Sequence, residues 1–311
     1  MIVRHAAGLR ILANLEKVIY GKTEALSLVL VALLAEGHLL LEDVPGVGKT
    51  TLARALAKSL ELEFKRIQFT PDLMPADIIG SSLLRPADGT FTFSPGPVFT
   101  NVLLADEVNR ASPRTQSALL EAMSERQVTT DGVTRPLVRP FFVLATQNPI
   151  EAQGTYPLPE AQLDRFFLRL RLGYPAADQE LDMLYGQSVQ HPLDTLTAVA
   201  RADDLRALQT EVRSVRVERS VGQYIVRLVQ ATREHPDLAL GASPRGTLAL
   251  FHGAQALAFL GGRDFIRPDD VQRLAEPVLA HRLELRSQAR YAGRTPAQVL
   301  DDIVARVPVP T

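Results

Sequence analysis

The chain has 311 residues, a formal net charge of −1 and no cysteine, which excludes disulfides, thiolate zinc sites and a cysteine nucleophile and leaves no basic footprint for gripping nucleic acid. Its 46% hydrophobic and 22% charged residues are those of a globular protein, long enough for one large domain or two medium ones. The longest apolar run, Leu26 to Ala35, falls short of the roughly 20 residues a membrane helix needs, and Met-Ile-Val-Arg-His has no signal-peptide segment, so the expectation is a cytoplasmic protein with no membrane insertion.

Apolar side chains at Leu9, Leu12, Leu15, Val18 and Ile19 predict an amphipathic helix over residues 9–19. Tyr20-Gly21-Lys22 breaks it, and Thr23 is placed to cap a second helix from Glu24 to Ala35. Leu39 to Leu41 read as a short strand. The stretch Asp43-Val44-Pro45-Gly46-Val47-Gly48-Lys49-Thr50-Thr51 follows, and then Leu52, Leu56 and Leu60 recur at helical spacing, giving strand, loop, helix. Gly46 and Gly48 let backbone N–H groups curl around an anion, and the new helix aims its positive dipole end at the same spot. Lys49 would reach the β- and γ-phosphates of a nucleotide and Thr50 would hold Mg²⁺. This looks like a Walker A loop with one departure: Asp43 stands where the pattern opens on glycine, and aspartate enters left-handed backbone more easily than most residues.

Phe64 to Phe69 predict a second strand, and residues 71–80 a loop with a short helix. Ser82 to Arg85 and Thr90 to Phe93 flank Asp88-Gly89 as a hairpin, whose residues alone leave open whether it is structural or a functional projection. Val102 to Ala105 form a buried central strand running into Asp106 and Glu107. Two carboxylates there are an electrostatic cost unless a cation sits beside them. In a Walker B arrangement Asp106 would hold the metal and Glu107 would polarise the attacking water; an exposed acidic turn is the other reading.

Ser112-Pro113 caps a helix to about Met123, and residues 127–134 form a second hairpin around Asp131-Gly132. Phe141 to Ala145 are a further buried strand ending in Thr146-Gln147-Asn148-Pro149, where Asn148 could hold a water or simply start a turn. Residues 158–167 predict a short helix with Arg165 beside Asp164, a surface ion pair on this segment's own terms. Four strands alternating with helices argue an α/β domain with a mostly parallel sheet, over residues 1–175. Helical signals alone follow, near 178–189, 203–213, 220–234, 244–260, 268–279 and 295–306, so residues 176–311 predict a smaller all-helical lid. Ser243-Pro244-Arg245 starts one of these helices. It puts a cation in a first turn, where an anion would relieve the conflict with the dipole or the side chain would bend into solvent.

Taken together, Leu-Glu-Asp-Val-Pro-Gly-Val-Gly-Lys-Thr at 41–50, Leu-Ala-Asp-Glu-Val-Asn-Arg-Ala at 104–111, Ala-Thr-Gln-Asn-Pro at 145–149, Leu-Pro-Glu-Ala-Gln-Leu-Asp-Arg-Phe at 158–166 and Gly-Ala-Ser-Pro-Arg at 241–245 resemble the MoxR family of AAA+ ATPases over nearly the whole chain. The resemblance implies a parallel-sheet P-loop NTPase core with a helical lid, ATP and Mg²⁺ as ligands, Asn148 as sensor 1, Arg165 as an arginine finger offered to a neighbour, and Arg245 as sensor 2 on the lid. It implies that Ile19, Tyr20 and Gly21 line the adenine, and that the two hairpins face partners or a ring pore. It also implies a homo-oligomer, typically a hexameric ring, acting as a chaperone-like remodeller in cofactor insertion or complex assembly, often with von Willebrand factor A domain proteins. An ATP-gated scaffold with little turnover would carry the same site. A nucleic-acid motor is the third reading, against which the near-neutral charge argues.

Overall fold

Two helices, α1 (Ala6–Glu16) and α2 (Thr23–Leu34), precede the first strand, β1 (Leu39–Glu42), in the computed structural model, which describes residues 3–86, 89–148, 155–186 and 190–310. α1 starts and stops three residues earlier than its apolar spacing predicted; Val18 and Ile19 are still buried, in the turn that follows. Thr23 is not the cap but the first helical residue, and its hydroxyl donates to the Glu16 carboxylate, tying the two helices together. The chain continues through α3 (Lys49–Ser59), β2 (Phe64–Gln68), α4 (Pro75–Ile79), the hairpin β3 (Gly80–Leu84) and β4 (Phe91–Pro95), and β5 (Val102–Asp106). Then come α5 (Pro113–Glu125), the hairpin β6 (Gln127–Thr130) and β7 (Val133–Pro136), β8 (Phe142–Gln147), the one-turn α6 (Glu160–Leu163) and β9 (Leu168–Leu170). The predicted turn residue Asp88 and Pro149 lie outside the described residues.

Strands β2, β5, β8, β1 and β9 form one all-parallel sheet in that order. Successive side chains alternate between two cores, as a period of two requires. Leu39, Leu41, Val102, Leu104, Phe142 and Leu144 face one, while Leu40, Leu103, Ala105, Val143 and Ala145 face the other, beneath α4 and α5. β9 is a strand that the sequence reading missed. Leu168-Arg169-Leu170 is too short to display alternation, and it pairs with β1 from Leu39 opposite Leu168. The helix predicted over 158–167 contracts to α6, because Pro159 pushes its predecessor toward extended backbone and the following phenylalanines, both buried, lead into β9.

The remaining chain folds as α7 (Ala177–Gly186), α8 (Pro192–Thr195), α9 (Ala202–Arg213), α10 (Arg219–Glu234), β10 (Leu238–Leu240), α11 (Pro244–Leu260), α12 (Pro268–Leu279), β11 (Glu284–Leu285), α13 (Ser287–Tyr291) and α14 (Pro296–Arg306). β10 and β11 pair antiparallel, so this half is helical but not wholly so; elements this short leave no periodic signature. The first core runs on without a break into α9 through α12 and α14, through Leu205, Leu228, Leu257, Val271 and Leu300. Among the described residues no helix is long and apolar enough to cross a membrane.

His38 joins three elements at the amino end of the sheet. Its Nδ1 accepts the Val143 N–H at 3.1 Å, so Nε2 carries the proton and donates to the Met123 carbonyl at 3.1 Å. Burial, against the help of the Met123 carbonyl and with the nearby Arg126 charge, pushes its pKa down to about 4. A base with a depressed folded pKa contributes its full stability above the unfolded value of about 6.5 and loses it as pH falls toward 4. Between pH 7 and 5 this group is expected to remove about 2 kcal/mol. Urea melts at the two pH values check this: His38→Gln should shrink the pH-dependent loss by that amount, and an unchanged loss would assign it to other groups.

Candidate nucleotide site

Gly46 and Gly48 hold φ of 86° and 91°. A Cβ built at Gly46 meets nothing within 4 Å, and at Gly48 only Ile19 Cδ1 at 3.9 Å. The left-handed backbone, not crowding, is therefore what requires glycine. Gly48 is the residue before α3, whose first-turn N–H groups open onto the loop. Lys49 Nζ donates to the carbonyls of Asp43 at 2.6 Å and Val44 at 3.2 Å, lying across the loop. Burial lowers the Lys49 pKa, and the charges of Asp43, Asp106 and Glu107 oppose that, which is the electrostatic sign that three carboxylates surround it. Asp43 departs from expectation. It is not among the residues with positive φ; its carboxylate accepts the backbone N–H groups of Leu172 and Gly173, fastening the loop to the chain leaving β9. With that side chain turned to N–H donors, Asp43 shapes the loop through its carbonyl and its anchor.

Ile19, Tyr20 and Gly21 lie between the loop and α7. Ile19 reaches toward Gly48, the Gln179 side-chain amide lies over Gly21 (φ 67°), and the Tyr20 hydroxyl abuts Gly186. Lys22 Nζ donates to the Tyr174 carbonyl at 2.8 Å, fixing the approach to α7.

At the carboxyl end of β5, Asp106 and Glu107 stand as a braced pair. Glu107 takes a left-handed conformation (φ 57°, ψ 52°), an uncommon one for a side-chain-bearing residue. Its N–H donates to Thr146 Oγ1 at 2.8 Å, and that hydroxyl donates in turn to Asp106 Oδ1 at 2.6 Å. Arg66 donates to Asp106 Oδ2 at 2.7 and 3.2 Å. Gln68 reaches Glu107 Oε2 at 2.8 Å, and Arg110 Nε lies 3.0 Å from the same oxygen. Asn148, buried, directly follows the end of β8. The sequence reading missed Thr146, Arg66 and Gln68. The last two share a face of a recognised strand by their spacing, but that β2 lies beside β5 is a matter of sheet order. Thr50 and Asp106 are hard oxygen donors. Among the described residues no cluster of three histidine or carboxylate side chains converges as a metal cage, so such donors suit Mg²⁺ only with phosphate oxygens completing the shell.

Arg165 and Arg245 are elsewhere. Both line a groove of about 330 Å³ beside Glu36 and His38, at the amino end of β1, whereas the phosphate loop leaves its carboxyl end. Arg245, implied as sensor 2 by the resemblance, thus lies at the end of the sheet away from its own loop. Arg165 does not pair with its neighbour Asp164: Nη1 donates to the Leu120 carbonyl at 2.9 Å and Ser124 Oγ at 3.3 Å, at the last turn of α5. Asp164 pairs instead with Arg282, whose Nε donates to Oδ1 at 3.0 Å. Burial lowers the Arg282 pKa to about 10 against the pull of Asp164.

A family profile described as the ATPase family associated with various cellular activities (AAA) matches residues 38–168, and one described as the AAA lid domain matches residues 230–303. The chain is 53% identical to an uncharacterised protein, YeaC, of Bacillus subtilis, covering 96% of this chain and 93% of that protein. It is 41% identical to Chaperone MoxR1 of Mycobacterium tuberculosis, over 97% of this chain and 82% of that one. A crystal structure of a candidate ATPase from Cytophaga hutchinsonii superposes with a TM-score of 0.92 at 38% identity, covering 98% of this chain and 95% of that one.

Proposed function

The chain belongs to the MoxR family of AAA ATPases, and from that premise we propose that it is a chaperone-like remodeller of a protein client, whose ATP site is completed by a neighbouring copy. The observation that carries this reading is the division of charge between the two ends of one parallel sheet: the loop and carboxylates at one, Arg165 and Arg245 at the other. Neither arginine reaches its own loop, so each serves a site only where another copy's loop is brought up to it.

In this reading Gly46 to Thr51 cradle the phosphates with backbone N–H groups, and Ile19 to Gly21 line the adenine. Lys49 exchanges the Asp43 and Val44 carbonyls for phosphate oxygens. Mg²⁺, held by Thr50 and Asp106, would draw charge from the β- and γ-phosphates. Glu107 takes a proton from the attacking water and Asn148 orients it. Thr146 keeps both carboxylates in place, and a neighbour's Arg165 and Arg245 stabilise the charge that develops on the γ-phosphoryl oxygens. A hexameric ring in the cytoplasm, with a von Willebrand factor A domain protein among its partners, is the assembly that fits the family resemblance.

Support for a client surface comes from the two hairpins. Ser82 on β3 donates to Asp131 at the tip of β6 and β7, and the Arg135 guanidinium lies 3.9 Å from the Phe93 ring centroid, so the hairpins form one unit. Between them and α4 lies a groove of about 800 Å³, with Met74 and Phe91 exposed at 62% and 72%. Affinity purification with Glu107→Gln in ATP tests the reading. Client proteins should be retained in ATP, released in ADP and lost when Phe91→Asp is added; equal recovery in all three would remove the remodelling role.

A further inference from the structure

The arginine groove contains an ion pair that the ATPase chemistry does not use. Asp164 immediately precedes Arg165, and its carboxylate accepts Ser243 Oγ at 2.8 Å on Oδ2 and 3.0 Å on Oδ1. The same Ser243 oxygen accepts the Arg245 N–H at 3.0 Å as the cap of α11. Arg282, 4% exposed, donates to Asp164 Oδ1, to the Phe166 carbonyl at 2.5 Å and the Phe167 carbonyl at 3.2 Å, and to Val278 at the end of α12. One carboxylate thus touches the cap of the helix bearing Arg245 and the guanidinium that fastens the segment bearing Arg165 to α12.

Charge gives the arrangement its purpose. Arg126, Arg165, Arg245 and Arg282 line one groove, and burial lowers the Arg282 pKa with the Arg245 charge adding to it. Of the groove's other carboxylates, Glu36 is engaged by Arg126 at 2.6 Å and Arg213 at 2.5 Å, and Glu125 ends α5. Asp164 is the carboxylate that directly contacts this cluster at Arg282. A buried pair such as Asp164–Arg282 is weak evidence for a stabilising role, since desolvation offsets much of the attraction; its geometric value lies in fixing what it touches.

We propose that Asp164 is a positioning residue which, through Ser243 and Arg282, locks Arg165 and Arg245 into one unit, so that both are presented together to a neighbouring copy's nucleotide. The inference rests on the intersubunit reading above. It predicts a defect in the arginines that a subunit offers, not in the loop that it owns.

Mixed-subunit turnover measures that difference. Asp164→Ala should bind a fluorescent ATP analogue within about twofold of the parent, because its loop lies at the other end of the sheet, while turnover falls about tenfold or more. Mixed with Lys49→Ala, which has intact arginines and a disabled loop, it should regain activity; mixed with Arg165→Ala it should not. Ser243→Asp, which keeps a capping acceptor but sets a second carboxylate against Asp164, should fall in the same complementation class and decides the matter if Asp164→Ala fails to fold. Near-parental turnover by both variants overturns the inference. So does failure of Lys49→Ala to rescue them while the control pair of Lys49→Ala and Arg165→Ala recovers. Failure of that control pair overturns the intersubunit reading itself, and this inference with it.

Discussion

Glu107→Gln is expected to bind ATP as the parent does and to hydrolyse it about 10²- to 10⁴-fold more slowly, the range that a positioned general base supplies. The substitution is nearly isosteric. An amide oxygen at this position still accepts Gln68 and Arg110, and the backbone N–H still donates to Thr146, so the left-handed turn survives. What is lost is the basicity. Removing one of the three carboxylates around Lys49 leaves that ammonium less supported, but its contacts to the Asp43 and Val44 carbonyls are untouched. Phosphate release and fluorescent-nucleotide binding read the two effects separately. Turnover within a few-fold of the parent would take Glu107 out of the chemistry and leave it as a brace for Asp106.

Arg165→Ala should cost about 10³-fold in turnover, the lower end of what an arginine finger contributes, again with nucleotide binding retained. Locally the loss is small: the Leu120 carbonyl and Ser124 hydroxyl at the end of α5 lose one donor, about 1 kcal/mol. A large kinetic effect beside a small change in melting temperature is therefore the signature expected. Arg165→Lys should not rescue it, because an ammonium lacks the planar fork. Parental specific activity should climb with protein concentration as copies associate, and a concentration-independent activity would place catalysis within one chain.

The sheet and the loop were legible because their signals are local. Val102 to Asp106 and Phe142 to Gln147 are buried along almost their whole length, and Gly46 and Gly48 adopt the backbone that glycine permits. Asp43 was misread because its role depends on Leu172 and Gly173, some 130 positions away. Thr146 and Arg66 escaped for the same reason: each acts across a strand boundary that only sheet order defines. The place of Arg245 in a first helical turn left open an anion or solvent as its partner, and local sequence says nothing about which end of the sheet that turn faces.

The placement of unlike chemistry at opposite ends of β1 limits the symmetry of any working assembly. A dimer with a two-fold axis sets residue i of one copy against residue j of the other and j against i, so it finishes its sites only by laying the two copies side by side, loop to arginine and arginine to loop. Head-to-tail stacking joins the two kinds of end through one repeated contact, and such contacts either close into a ring or continue as a filament, depending on the rotation between successive copies. Closure is then a matter of angle, held by the same elements that carry the chemistry, and a substitution that alters that angle by a few degrees would convert rings into open helices without touching a single ligand-binding residue.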